Sequence, residues 1–278
     1  MKKTIIALLV LVLALSVVSS SVFAKETRKV YTEDQVNTLL TQAGVPQDVL
    51  NGMDVDTKKF IIENSGDNKL KFVNSSTENF VRDPQTGRLV KQSDSSSIKN
   101  FSPLDYIPSS DLKLNLYHFV TNYSGTNMDD IYSSFEWLTT PSASPEGIVK
   151  DNFGIAVPDG WQIQSGKYAC AVQAWVTNSW GNPNSSLCNN GQPVDYSLYG
   201  ASWQFGGGAI YTTYYKGTSK LTMVKTNPNA VNRVVTKYSE SIENSSGNYN
   251  VTVAFGPVEI QYTPSTGSNN VASLDLSW

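Results

Sequence analysis

Histidine, cysteine and charge are all scarce in this chain of 278 residues. It has one His and two Cys, and Asp, Glu, Lys and Arg together make up 16% of it. A site built from several histidines, of the kind that binds zinc or copper, is therefore excluded, and two cysteines are too few for a structural zinc site. We predict no metal site and no cofactor.

The single histidine, His118, would have to serve any Ser-His-Asp or Cys-His triad. It lies in phase with Leu112, Leu114 and Leu116 in an alternating stretch, so we interpret it as a core histidine with a hydrogen-bonded ring. No serine stands in a Gly-x-Ser-x-Gly motif. These features favour a protein that acts without catalysis.

Basic residues are neither numerous nor clustered. The net charge is −3, and after the first 24 residues only Arg28-Lys29 and Lys58-Lys59 are adjacent basic pairs. Binding to nucleic acid depends on clustered Lys and Arg that release counterions from phosphates. We therefore do not expect nucleic acid as a partner.

Only one long apolar run occurs, and it lies at the start of the chain. Lys2 and Lys3 precede an apolar stretch from Ile5 to Leu15, and Val22 and Ala24 suit the −3 and −1 positions of a signal-peptidase site. The run is short for a bilayer span of about 20 residues. We predict a cleaved signal peptide over residues 1–24, a secreted product and no transmembrane anchor.

Export also determines how the cysteines are interpreted. Cys170 and Cys188 are an even pair in an exported chain, and they do not form a Cys-x-x-Cys redox motif. We predict a disulfide between them.

Apolar residues recur at helical spacing soon after the signal. Val36 and Leu40 lie one turn apart, and Asp54 stands where it can cap a helix over residues 57–64. We predict a small helical unit over residues 25–66. Such a unit is too small to fold well alone and should pack on the rest of the chain.

Residues 67–110 are polar and rich in Ser and Asn. One hairpin signal interrupts them, because Phe80-Val81 and Leu89-Val90 flank the turn sequence from Asp83 to Gly87. We predict a linker or arm with a short hairpin.

From residue 111 to residue 278 the pattern predicts strands. Leu112, Leu114 and Leu116 alternate with other residues, which is typical of a half-buried strand. Similar runs follow at 130–138, 151–157, 168–177, 199–205, 208–216, 219–226, 231–240, 249–256, 258–263 and 271–278. No helix of useful length intervenes. We predict a mainly β fold, an antiparallel β-sandwich or jelly roll, with the small helical unit before it.

Four short stretches carry a resemblance to a known group. They are Ser134–Pro141, Asp151–Trp161, Val235–Ser239 and Gly256–Ile260. Their arrangement resembles that of a loose group of uncharacterised secreted proteins of Gram-positive bacteria, and the segment from Tyr31 to Asn64 is similar to their N-terminal segment. The resemblance implies export and a β-domain, and it carries over no catalytic residue.

Aromatic residues stand among Asn, Gln, Ser and Thr, a mixture that suits sugar binding through ring stacking and hydroxyl hydrogen bonds. Trp180, Trp175 and Trp161 are our candidate ligand-binding residues, with Trp180 first because Gly181-Asn182-Pro183 predicts a loop tip there. Core packing is the alternative role for these rings. We predict a secreted, non-enzymatic binding protein whose ligand is a surface carbohydrate or an extracellular protein.

Two other functions stay open at this stage. Glu136 and Glu259 lie in predicted strands, so they are the candidate acid pair if the chain is a glycoside hydrolase. Strands rich in Ser, Thr, Asn and Tyr, at 212–215 and 239–252, are the basis of a membrane-active, pore-forming alternative.

Calcium is the one metal that the acidic residues suggest. Asp54-Val55-Asp56 begins like an EF-hand loop, but Lys59 replaces the Gly and Ser65 the Glu that such a loop needs. Asp129-Asp130 offers oxygen ligands for a metal site at a loop as an alternative, but we interpret the pair as a solvated turn.

Overall fold

The computed structural model describes eleven stretches of the chain: 30–65, 69–93, 110–139, 150–176, 184–185, 188, 191–206, 212–242, 250–254, 259–263 and 268–278. The predicted signal peptide and Trp180 lie outside these residues. Residues from Glu33 to Trp278 form one compact unit.

Three short helices come first, namely α1 (Glu33–Gln42), α2 (Gln47–Gly52) and α3 (Val55–Ser65). Val36 and Leu40 of α1 are buried, as their spacing predicts. Asp54 caps α3, since its Oδ1 accepts the backbone N–H groups of Asp56 at 3.1 Å and Thr57 at 3.3 Å. The predicted helical unit is confirmed.

The strands that follow are β1 (Leu70–Arg82), β2 (Leu89–Lys91), β3 (Leu112–Tyr123), β4 (Thr126–Trp137), β5 (Lys150–Ala156), β6 (Trp161–Val176), β7 (Asn184–Ser185), β8 (Asp195–Ser197), β9 (Gly200–Gly206), β10 (Thr212–Lys225), β11 (Arg233–Ile242), β12 (Asn250–Ala254), β13 (Glu259–Thr263) and β14 (Ser268–Ser277). One sheet has the order β2-β1-β3-β4-β10-β6-β7 and another β14-β11-β5-β9-β8, while β12 and β13 pair with each other. The strand pairs are antiparallel, and the predicted mainly β sandwich is confirmed.

The core of the sandwich lies between the five-stranded and seven-stranded sheets. Leu114 and Phe135 face it from the seven-stranded sheet, and Phe153, Trp203 and Tyr238 face it from the other. Side chains of this size bury most of the apolar area that stabilises the domain.

β3 differs from the predicted half-buried strand because both of its faces are buried. Leu114 and Leu116 are buried towards the core, and Tyr117 and Phe119 are buried on the opposite face. The cause is the helical unit, which packs on the outer face of the seven-stranded sheet: Phe60 of α3 meets the ring of Tyr132 edge to face, with centroids 6.3 Å apart.

The hairpin predicted around residues 83–87 is observed as β1 and β2, with Val81 paired to Val90. β1 itself is longer than the sequence pattern indicates, since all of Leu70–Arg82 belongs to the seven-stranded sheet and pairs with β3. Within this strand only Phe80 and Val81, which precede the last residue, are buried. This partial exposure explains why most of the strand lacks apolar alternation.

The two strands predicted at 208–216 and 219–226 are one strand, β10. Gly217 falls between the two predicted runs, and it lies inside the strand. A Cβ atom there would be 2.6 Å from Phe135 and 2.7 Å from Val172. The glycine therefore makes room for core side chains of the neighbouring strands.

Candidate functional site

Strands of both large sheets begin or end at one end of the sandwich, which we call the loop end. It is defined by Trp137 of β4, Lys150 of β5, Val176 of β6, Gly206 of β9, Thr212 of β10, Ile242 of β11 and Ser268 of β14. The connections 138–149, 177–183 and 207–211 therefore start and finish there, and the connection 243–249 starts there. Connections carried on a rigid sheet framework are a common place for binding sites.

A chain of hydrogen bonds crosses the sandwich beneath the loop end. The indole N–H of Trp137 donates to the Tyr238 oxygen at 3.0 Å, and the Tyr238 hydroxyl donates to Asp151 Oδ2 at 2.5 Å. All three side chains are buried. Burial raises the pKa of Tyr238, and the nearby charge of Asp151 raises it further, so the hydroxyl stays protonated and able to donate.

Aromatic rings fill the space around this chain. Phe135 lies 4.6 Å from Tyr238 and 5.5 Å from Phe205 between ring centroids, and Tyr215 lies 5.4 Å from Phe205. Burial and the charge of Asp151 raise the pKa of Tyr215 as well. Packed rings of this kind give the loop end a stiff base.

A second cross-sheet contact lies beside the first. Arg82 of β1 donates to Glu240 of β11 at 2.6 Å, and Asn270 of β14 donates to the other oxygen of Glu240 at 3.1 Å. The Arg82 guanidinium also lies over the Trp137 ring, 5.2 Å from its centroid. Glu240 is 0% exposed, so its charge is held entirely by the protein.

Sequence reasoning missed Asp151 and Glu240, although a signal was present. Asp151 is in phase with Phe153 and Ile155 of β5, and Glu240 is in phase with Tyr238 of β11. A carboxylate that shares the apolar phase of its strand points into the core and needs donors there.

The structure separates the candidate tryptophans. Trp175 pairs in register with Tyr214, next to the end of β6 at the loop end, and its side chain lies outside the described residues. Trp161 is the first residue of the same strand, roughly 36 Å away at 3.3 Å per residue, because its register partner Lys225 lies 11 residues from Tyr214 on β10. Trp161 is 4% exposed, donates to the Val231 carbonyl at 2.9 Å and packs on Trp278, which is the position of a core residue.

The two candidate glutamates lie on different sheets. Glu136 is half-buried on β4, where its register partners are Lys113 of β3 and Lys216 of β10. Glu259 is the first residue of β13, and its side chain lies outside the described residues. The glycoside hydrolase alternative therefore stays a prediction.

His118 is 1% exposed and faces the core, as its phase predicts. Its Nε2 lies 2.6 Å from Asp129 Oδ1, and its ring lies 4.3 Å from that of Trp278. The interpretation of Asp129-Asp130 as a solvated turn is wrong, because both belong to β4 and Asp130 is 0% exposed. Asp130 accepts hydrogen bonds from Thr121, Tyr123 and Thr222.

The predicted disulfide between Cys170 and Cys188 is confirmed, with Cα atoms 5.8 Å apart. It ties the segment after β7 to β6. The Trp203 indole donates to the Gly191 carbonyl at 2.9 Å, which holds the same segment against β9. The disulfide therefore joins β6 of the seven-stranded sheet to a segment that is hydrogen-bonded to β9 of the five-stranded sheet.

Two negative findings apply to the part of the chain that the structure describes. None of its helices is long and apolar enough to cross a membrane. It contains no group of three or more His, Cys, Asp or Glu side chains that could hold a metal ion.

No family model and no curated protein match this chain. Among solved structures, it is similar to the collagen-binding domain of a Staphylococcus aureus adhesin, with a TM-score of 0.28 and 8% identity over 53% of this chain and 87% of that one. It is also similar to a pore-forming protein, with a TM-score of 0.32 and 10% identity over 72% and 96% of the two chains. A third is the Clostridium perfringens NetB toxin in its membrane-inserted form, with a TM-score of 0.26 and 10% identity over 74% and 97%.

TM-scores of this size carry no conclusion about a shared fold or function. The class of protein follows from the chain's own architecture: it is a disulfide-linked antiparallel β-sandwich with a helical unit packed on its outer face.

Proposed function

We propose that this chain is a secreted, non-enzymatic binding protein that recognises a surface carbohydrate at the loop end. The observation that carries the proposal is the register of β6 and β10, in which Trp175 is paired with Tyr214 one residue before β6 ends. Trp180 follows in the connection after β6. Aromatic rings next to polar loops suit sugars, whose apolar faces stack on rings while their hydroxyls form hydrogen bonds.

Two further features support a role outside the cell. The disulfide is the kind of bond that persists in an oxidising compartment, and residues 1–24 carry the pattern of a signal peptide. From the sequence resemblance we also propose that the chain belongs with the secreted proteins of Gram-positive bacteria noted above.

Co-sedimentation tests the proposal. The protein from residue 25 onward is mixed with insoluble polysaccharides and bacterial cell walls, together with Trp175→Ala and Trp180→Ala. The wild type should pellet, and each variant should bind about fivefold more weakly, since the loss of a stacked ring costs about 1 kcal/mol. Tyr168→Ala is the control, because it removes a ring from the same strand seven residues before Trp175.

The outcomes separate the alternatives. If no preparation pellets, carbohydrate recognition is refuted and a search for an extracellular protein partner follows. Soluble sugar released in the supernatant, and abolished by Glu136→Gln or Glu259→Gln, would support the glycoside hydrolase instead. Dye release from liposomes at micromolar protein would support the membrane-active alternative, and intact vesicles would remove it.

A further inference from the structure

Two lysines of β10 hold the two ends of α3. Lys216 forms ion pairs with Asp54 at 3.0 Å and Asp56 at 2.5 Å, at the start of the helix. Lys220 donates to the backbone carbonyl of Asn64 at 2.7 Å, at its end. Four residues of a strand span about 13 Å and the eleven residues of α3 about 16 Å, so the helix lies along the strand.

Further polar contacts join the helical unit to the same sheet. Lys113 of β3 donates to the Gly52 carbonyl at 2.6 Å, and the hydroxyls of Thr57 and Thr218 lie 3.0 Å apart. In these contacts the cations Lys113, Lys216 and Lys220 come from the sheet and their acceptors from the helical unit, while Glu136 of the same sheet is the register partner of Lys113 and Lys216. This arrangement also suits the helix dipoles, since acids stand at the start of α3 and a cation at its end.

The contact at Lys220 continues into the sheet as a buried network. The Lys220 ammonium lies 3.2 Å from Asp130 Oδ2 and donates to the Tyr123 hydroxyl oxygen at 2.8 Å. Lys220 is 5% exposed. An ion pair buried this deeply contributes little stability compared with apolar side chains of the same volume, and its best-attested role is to specify one arrangement or to act as a switch.

The helical unit has apolar contacts of its own. Val36, Leu40, Leu50 and Ile61 are buried on its helices, and β1 is the next element along the chain. Its contact with the sheet combines the ring pair of Phe60 and Tyr132 with the ion pairs and hydrogen bonds above, and an element docked in this way can separate locally without unfolding the remainder.

We propose that α1–α3 form a cover that opens and closes as one unit over β10 and β4 while the sandwich stays folded, and that the ion pairs of Lys216 with Asp54 and Asp56, together with the hydrogen bond from Lys220 to the Asn64 carbonyl, are its latch. When closed, the cover hides Tyr132 and Phe119, both 0% exposed. The proposal is independent of carbohydrate binding, and its test needs no ligand.

Amide hydrogen exchange followed by mass spectrometry tests this cover in the protein from residue 25 onward. At about 1 M salt the screening length falls to about 3 Å, which weakens the pair between Lys216 and the 45% exposed side chain of Asp56. Amides of α1–α3 should then exchange at least about threefold faster than at low salt, while those of β4 stay unchanged.

A matched pair of variants isolates the latch. Lys216→Met keeps the length of the side chain and removes its charge, so it should speed exchange in α1–α3 at low salt and abolish the salt effect. Lys225→Met is the control on the same strand, since Lys225 is exposed and donates to the neutral side chain of Asn232. It should behave as the wild type. If Lys216→Met does not fold, the double variant Asp54→Asn and Asp56→Asn removes the same pairs from the helix side.

Two results would overturn the proposal. Exchange of α1–α3 and β4 at equal rates under all conditions would show a single cooperative unit with no separate cover. Slower exchange in α1–α3 after removal of the charges would show that the ion pairs oppose closure.

Discussion

Asp54 combines two roles at the start of α3: it caps the helix and pairs with Lys216. Burial alone would raise the pKa of its carboxyl group. The attraction of Lys216 and the hydrogen bonds from Thr57 and Lys216 outweigh burial, and the pKa lies below its ordinary value of 3.8.

This lowered pKa predicts an acid-sensitive contribution to stability. Because the folded-state pKa lies below the unfolded value of 3.8, the stabilisation is complete above that pH and disappears as the pH falls through the folded value. Asp54→Asn keeps an oxygen that can cap the helix but cannot ionise, so its free energy of unfolding should fall less steeply below about pH 4. Urea unfolding from about pH 7 down to about pH 2 measures this, and parallel curves for the two proteins would contradict it.

The second prediction at this scale concerns Tyr238, because removal of its hydroxyl group should lower the free energy of unfolding. Tyr238→Phe leaves the buried indole N–H of Trp137 without its acceptor and removes a donor from Asp151. We expect the free energy of unfolding to fall by about 2–4 kcal/mol, as for two buried polar groups that lose a partner. Tyr168→Phe, whose hydroxyl bonds to the exposed Gln192, should change it by less than about 0.5 kcal/mol. Equal effects in urea unfolding would refute a special role for the buried chain.

At the scale of the element, β10 depends on the missing side chain at position 217. Gly217→Ala places a Cβ atom against Phe135 and Val172, so we expect a loss of about 1–3 kcal/mol. Gly52→Ala is the matched control, since a Cβ atom there meets nothing within 4 Å and alanine favours helix. Thermal unfolding of both variants tests this prediction. Similar stabilities of Gly217→Ala and Gly52→Ala would show that β10 tolerates the larger residue.

Local chemistry made some elements predictable. Asp54 as a cap and the turn from Asp83 to Gly87 are encoded within a few residues, and both were found where the sequence places them. The continuity of β10 was not predictable, because a glycine inside a strand resembles a turn until the neighbouring rings are known.

For the whole molecule, the disulfide links β6 to the segment that leads into β8. The bond closes a loop between positions 18 residues apart, so its removal should cost about 3 kcal/mol in the chain-entropy description. Urea unfolding with and without reductant should show this difference. The Cys170→Ser and Cys188→Ser double variant should have the same urea midpoint as the reduced protein, with or without reductant. An unchanged midpoint of the wild type after reduction would contradict the prediction.

The candidate site was predictable only in part. Trp175 was identified from its sequence surroundings, and the register of β6 and β10 then placed it at the loop end. Trp161 shares the same kind of surroundings but lies at the opposite end of its strand in the core. Composition near a residue cannot distinguish these positions, since distance along a strand separates them by tens of ångströms.

The sequence by itself determined the strand-rich class, the helical unit, the core phase of His118 and the partner of each cysteine, because these follow from periodicity, capping and pairing along the chain. The burial of both faces of β3, the enclosure of Asp151, Glu240 and Asp130, and the contacts of α3 with β10 were decided only by the tertiary structure. These features depend on which surfaces come into contact when the chain folds, because those contacts determine the burial and the hydrogen-bond partners of each charged group and ring.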